Sequence, residues 1–195
     1  MDQQRFDALR AAGYNHIPVV KELLADLDTP LSIYLKLADA PHSFLLESVE
    51  GGETWGRYSI IGLPARTTIR YADGEFCVCR DDQEDRRRCD DPLIELDKLR
   101  RQFRVPAVAG LPRFSGGFVG YIGYDAVCCM EPKLRGLHKP DTLGCPDIFL
   151  LLADELVILD NLRGTLQLVV HADADAPGAW TSAQRRLEDL AARLR

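Results

Sequence analysis

Short strand-like segments that follow one another at hairpin distance constrain this chain more than any other feature of its sequence. Residues 43–49, 56–63, 67–71 and 75–80 form one series. Asp73-Gly74, between the last two, is a strong turn signal, because both positions tolerate the left-handed backbone of a two-residue hairpin. Residues 147–153, 156–160 and 165–171 form a second series, expected as a three-strand meander with 161–164 as its last turn. Neighbouring strands joined this tightly pair antiparallel. The helices are marked by caps and apolar spacing. Residues 3–12 carry Phe6, Leu9 and Ala12 on one face and stop at Gly13. Residues 16–26 read as extended, Thr29-Pro30 opens a short helix over 31–38, and Asp91 caps a helix from Pro92 with Leu93, Leu96, Leu99 and Phe103 on one face. From about residue 177 an amphipathic helix bears Trp180, Ala183, Leu187, Leu190 and Leu194. The expected fold is α+β, a largely antiparallel and sandwich-like β-sheet flanked by three to four helices, in a single domain over residues 1–195.

Charge and composition narrow the function classes. The 195 residues include 24 Lys or Arg and 30 Asp or Glu, a formal net charge of −6. That acidic balance argues against nucleic acid or an anionic membrane surface as the main partner. No apolar run approaches the roughly 18 residues of a bilayer span, and the N-terminus lacks an apolar signal core, so a cytoplasmic location is expected. Cys77, Cys79, Cys89, Cys128, Cys129 and Cys145 fit neither a zinc framework nor a secreted disulfide scaffold and are expected as reduced thiols, with Cys77 and Cys79 on one face of a strand.

His16, His42, His138 and His171 stand too far apart to suggest a metal pair, and no nucleophile elbow or carboxylate pair is present. No catalytic residue and no metal ligand is therefore assigned. Gly117, Gly120 and Gly123 interleave with Phe118, Val119, Tyr121 and Ile122, which suits a strand whose glycines admit a close backbone and does not suit a phosphate cradle. Residues 81–91, nearly all charged, read as a solvated loop.

One segment stands out chemically. Between the apolar stretches at 44–46 and 58–62 lie Glu47, Ser48, Glu50, Gly51, Gly52 and Glu53, polar groups presented at the end of a hairpin. Such a place can hold a zwitterion, a carboxylate meeting its ammonium and a hydroxyl or arginine its carboxylate.

Leu45-Leu46-Glu47-Ser48, the Gly51-Gly52-Glu53 turn and Trp55-Gly56-Arg57-Tyr58-Ser59 closely resemble the N-terminal region of anthranilate synthase component I. Tyr14-Asn15-His16-Ile17-Pro18-Val19 with Asp28-Thr29-Pro30, then Phe114-Ser115-Gly116-Gly117-Phe118-Val119-Gly120-Tyr121 with Tyr124-Asp125, and Pro146-Asp147 agree in the same order. The resemblance implies a large subunit more than twice this length, whose C-terminal chorismate-binding domain holds the Mg²⁺ site and nearly all catalytic residues. None of that domain's motifs occurs here, so this chain alone is expected to be inactive and to bind no cofactor.

The family reaction converts chorismate and ammonia, the latter from a glutamine amidotransferase subunit (component II), to anthranilate and pyruvate, with feedback inhibition by tryptophan. By resemblance, Glu47 and Ser48 match inhibitor-contact positions, Leu46 can wall the indole, and Arg57 matches a basic residue near the ligand. The implied partners are L-tryptophan, the chain's own C-terminal catalytic domain and component II. Two other readings compete: the same domain of 4-amino-4-deoxychorismate synthase component I, and a non-catalytic scaffold for the amidotransferase subunit.

Overall fold

The computed structural model describes residues 1–25, 28–47, 56–134 and 143–194. Five helices and ten strands are present among them: α1 Gln3–Ala11, β1 His16–Leu24, α2 Pro30–Leu37, β2 Phe44–Glu47, β3 Tyr58–Gly62, β4 Thr67–Ala72, β5 Glu75–Arg80, β6 Gln83–Arg88, α3 Pro92–Arg100, β7 Gly117–Ile122, α4 Val127–Met130, β8 Ile148–Ala153, β9 Glu155–Asp160, β10 Thr165–Asp173 and α5 Ala179–Leu194. The chain divides into two compact units. The first comprises Met1–Ala65, Phe103–Gly117 and Ala153–Arg195, and the second Arg66–Gln102 and Phe118–Leu152.

The first unit is built on a five-stranded sheet in the order β1-β10-β9-β3-β2. β10 lies antiparallel to β1 along its whole length, from His16↔Asp173 to Leu24↔Thr165, and antiparallel to β9 on its other edge. Alternation along β10 sends Leu166, Leu168, Val170 and Ala172 to one core, where Ile17 and Val19 of β1, Val157 and Leu159 of β9, and Ile61 of β3 join them. Helices close that core. α5 contributes Ala183, Leu187, Leu190 and Ala191 at helical spacing, α2 contributes Ile33 and Leu37, and α1 contributes Phe6.

The caps act as the sequence requires. Thr29 Oγ1 accepts from the Ser32 N–H (3.1 Å) while Ser32 Oγ accepts from the Thr29 N–H (2.9 Å), a reciprocal pair with Pro30 at the first helical position. Asp91 Oδ1 likewise accepts from Leu93 and Ile94 N–H at 3.0 and 3.2 Å, and α3 begins there.

The second unit carries the other sheet, β6-β5-β4-β8-β7, over which Ile69, Tyr71, Phe76, Ile148 and Leu150 are buried. Its β4–β5 hairpin turns on Asp73 and Gly74, both at positive φ (53° and 76°), as the sequence indicated.

Two expectations need correction. Residues 81–91 are not a solvated loop: Asp81 and Asp82, with φ of 46° and 65°, make a second tight turn, and β6 follows in register with β5 from Arg80↔Gln83 to Glu75↔Arg88. Every residue of β6 is exposed, so no apolar alternation marks it; the backbone ladder makes the strand, and its charges suit an unpaired sheet edge. Two of its three arginines are engaged, Arg86 with Glu84 and Arg87 with Glu95 (2.8 Å). The expected meander over 147–171 is also divided. β9 and β10 pair with each other, whereas β8 pairs with β4 in the other sheet, so the chain changes sheets at Asp154. Near-continuous apolar sequence in both β8 and β9 gave no sign of that change.

Of the glycines expected to admit a close backbone, Gly120 and Gly123 do, whereas a Cβ on Gly117 would meet nothing within 4 Å. A Cβ on Gly120 would stand 2.1 Å from the Phe149 carbonyl oxygen and 2.9 Å from Leu150 Cα, both on β8. Replacing Gly120 by Ala is expected to destabilise the second unit by about 1–3 kcal/mol, because rigid backbone on the neighbouring strand must give way. Urea denaturation of G120A against the parent, with hydrogen exchange on β7 and β8, measures this.

Candidate ligand site at one end of the first sheet

The candidate site is assembled where β2 ends, β3 begins and β9 turns into β10. β2 and β3 pair antiparallel, with Leu46 opposite Ile60 and Glu47 opposite Ser59. On its other edge β3 pairs with β9, so Tyr58 stands opposite Asp160. Leu46, Glu47, Arg57, Tyr58 and Ile60 line an open depression of ≈ 460 Å³ at this end. Three of the four residues assigned from sequence, Leu46, Glu47 and Arg57, therefore share one surface. Ser48 lies outside the described residues. Leu46 is 47% exposed, and the depression offers an apolar floor from Leu46 and Ile60 beside an exposed carboxylate.

Arg57 is held in place by a residue the sequence reading did not anticipate. Its Nε donates to both carboxylate oxygens of Asp160 (3.2 and 3.1 Å) and its Nη2 to Oδ2 (2.8 Å), a fork that fixes the guanidinium plane. Asp160 is 7% exposed and also anchors the turn into β10, accepting from the Leu162 and Arg163 N–H groups at 3.2 Å each. Asn161 completes the brace. Its N–H donates to the Arg57 carbonyl (2.8 Å), and its Nδ2 donates to Gly56 O (3.2 Å) and Ser59 Oγ (3.3 Å). Asp160 and Asn161 are more than a hundred residues from Arg57 in sequence; only the β3–β9 register brings them together, so no local signal could have named them.

The electrostatics follow from this fork. Hydrogen bonding from Arg57, aided by the two backbone donors, holds the Asp160 carboxyl below the usual carboxylate range against the opposing effect of burial. The same bond raises the Arg57 guanidinium above its ordinary value. A ligand carboxylate approaching Arg57 meets a cation already oriented, through the Nη1 edge that the fork leaves over.

The second unit has a larger cavity, ≈ 870 Å³, lined by Tyr71, Arg88, Cys89, Cys128, Cys129 and Cys145 among others. The Tyr71 hydroxyl donates to the Cys89 carbonyl (3.4 Å) and lies 3.7 Å from Cys129 Sγ, and burial pushes its proton affinity up. Among the described residues no group of three His, Cys, Asp or Glu side chains could hold a metal ion. No helix among them is long and apolar enough to cross a membrane.

Comparison with known proteins decides the lineage. Anthranilate synthase component 1 of Pseudomonas aeruginosa is 52% identical over 196 aligned positions that cover all of this chain and 40% of that protein. The chain belongs to the anthranilate synthase component I family. The enzyme of Neisseria meningitidis is 44% identical over the same shares, and that of Acetivibrio thermocellus 33% identical over 93% of this chain and 37% of its own. A solved anthranilate synthase component I from Streptococcus pneumoniae aligns with a TM-score of 0.49 at 22% identity, over 86% of this chain and 36% of that one. No family model matches. The chain spans about 40% of the length of the family relatives it matches.

The Asp160 carboxyl yields a pH prediction. Its native pKa lies below the ordinary value, so the stability it supplies is complete above about pH 4 and is lost as pH falls through the native pKa. Asp160→Asn is expected to lower the urea midpoint at pH 7, with the gap to the parent closing as pH drops below about 4. Urea titrations of both proteins across the acid range measure the gap; a difference that stays constant with pH would refute the assignment.

Proposed function

We propose that this chain is the regulatory, tryptophan-sensing N-terminal part of an anthranilate synthase component I, with the chorismate chemistry performed by the rest of the enzyme. The observation that carries the reading is the convergence of Leu46, Glu47 and Arg57 on one depression at the mouth of the β2–β3 hairpin, in a chain related over its whole length to that enzyme. In this reading the Glu47 carboxylate receives the ammonium of L-tryptophan, the Ser48 hydroxyl meets its backbone, and Leu46 with Ile60 supports the indole. Arg57, held by Asp160, orients the ligand carboxylate.

The full-length enzyme converts chorismate with ammonia, delivered by the glutamine amidotransferase component II, to anthranilate and pyruvate. In this reading its Mg²⁺ belongs to the catalytic domain. Inhibition requires only that tryptophan bind one arrangement of the enzyme better than another. A coupling of about 1–3 kcal/mol, roughly 5- to 150-fold in affinity, is typical of such linkage.

Two measurements bear on this. Incubated with chorismate, excess ammonia and Mg²⁺, the chain alone is expected to give no anthranilate fluorescence; sustained turnover would overturn the division of labour. Titrated with L-tryptophan and followed by NMR, it is expected to bind more weakly than micromolar. Glu47→Ala should cost a further factor of about ten, the usual loss for one charge-assisted hydrogen bond at an open site. Because Glu47 is exposed, its urea midpoint should not move. Unchanged tryptophan affinity in E47A would exclude the proposed ammonium contact.

A further inference from the structure

Residues Phe103–Gly117 run as a strap over the first unit, with no helix or strand before β7 begins at its last residue. Asn15, just ahead of β1, and two side chains of β10 hold it at three places. Asn15 Oδ1 accepts from the Arg104 N–H (2.8 Å), Gln167 Nε2 donates to Gly110 O (3.2 Å), and the His171 ring meets Ser115 O at 2.6 Å through Nε2. The third contact differs in kind. A carbonyl oxygen only accepts, so Nε2 must carry the ring proton and Nδ1 is bare. His171 is 7% exposed, and no donor among the described residues reaches Nδ1.

Both ends of the strap converge here. The His171 ring stacks on His16 (centroids 4.8 Å apart, planes at 25°), and His16 meets the edge of Phe103 at 5.1 Å. Gly116 packs so close that a Cβ there would stand 2.4 Å from His171 Nε2 and 3.1 Å from Ala153 O.

We propose that His171 is an acid-released latch: the neutral ring pins Ser115 and Gly116 to β10, and protonation at Nδ1 frees the strap. A proton added there creates a buried donor and a full charge with no acceptor to receive either, and the ring escapes this by leaving the sheet. The groups around it do not compensate. β1 presents the His16 ring, stacked face to face. The turn between β8 and β9 presents Asp154, whose carbonyl accepts the His171 backbone N–H (2.8 Å), and β10 itself presents exposed Asp173 two residues on. The strap presents Arg104 and Arg113, which are cationic. None of these groups is hydrogen-bonded to His171 Nδ1.

Burial outweighs the Ser115 bond and puts the native pKa below the ordinary 6.5. The released form, with an ordinary imidazole, therefore binds more protons. The latch is complete well above pH 6.5, and the open fraction rises through and below that value, by no more than about tenfold per pH unit, until the native pKa is reached.

Hydrogen exchange of the whole chain at pH 7.5, 6.5 and 5.5, corrected for intrinsic exchange rates, is the test. Protection around Ser115–Gly117 is expected to fall progressively from pH 7.5 to 5.5, by up to about tenfold over the whole range, while Val157 and Ile158 in β9 keep theirs. His171→Gln places an amide donor near the Nε2 position without a titrating group and should make strap protection independent of pH. Should H171Q fail to fold, NMR of the parent ring decides: an Nε2–H tautomer whose protonation coincides with strap opening supports the latch. Strap protection that is flat with pH in the parent, pH dependence retained in H171Q, or a ring that protonates while the strap stays protected would each overturn it.

Discussion

The two-sided pairing of β10 is the constraint on which the rest of the first unit depends. A nine-residue strand joined to β1 on one edge and β9 on the other cannot slip by one residue without sending Leu166, Leu168, Val170 and Ala172 away from α5 and bringing Gln167 and His171 into their place. That register also fixes the two ends of the sheet. At one end it sets Asp160 opposite Tyr58 and so within reach of Arg57; near the other it sets His171 beneath Ser115. The apolar alternation that builds the core thus places the polar groups as well.

Sequence made visible whatever was local. The Thr29-Pro30 helix start, Asp91 ahead of Pro92, the Asp73-Gly74 turn and the apolar face of α5 each write their structure within a few residues, and each formed as expected. β6 was hidden because its stability comes from main-chain pairing with β5 while all its side chains face water. The parting of β8 from β9 was hidden for the opposite reason. β8 is apolar throughout and β9 is apolar between Glu155 and Asp160, so neither shows a face that would tell which sheet it joins. In the candidate site, Leu46 and Glu47 of β2 and Arg57, one residue ahead of β3, lie within one short stretch of chain and were assigned together by resemblance, whereas Asp160 and Asn161 enter through a long-range register.

The Arg57–Asp160 fork has a consequence for binding. A free arginine on a surface must lose side-chain entropy when it meets a ligand carboxylate, but a guanidinium already held by two nitrogens has lost most of it on folding. The cost of that order falls on the folded state, where Asp160 offsets it through bonds to the turn as well as to Arg57. Neutralisation by Asp160 also lowers the net positive field at the depression, so the arginine serves better to orient a ligand than to attract it from a distance. Under the proposed assignment, charge recognition then falls mainly to Glu47, which is exposed and stands across the same depression.

An open depression limits what such a site can do by itself. Small-molecule pockets enclose about 70–90% of their ligand, and a floor made of Leu46 and Ile60, with Leu46 about half exposed, leaves one face of an indole in water. The apolar area still unburied is the driving force available to any further wall that comes over the ligand. A regulator assembled in this way gains affinity only when that wall arrives, which makes ligand affinity and domain arrangement the two sides of one equilibrium. An enclosed pocket would bind more tightly and report nothing. Under the proposed assignment, occupancy of this incomplete depression is coupled to the arrangement of the remaining part of the enzyme, and the weak affinity expected of the chain alone is what leaves room for that coupling.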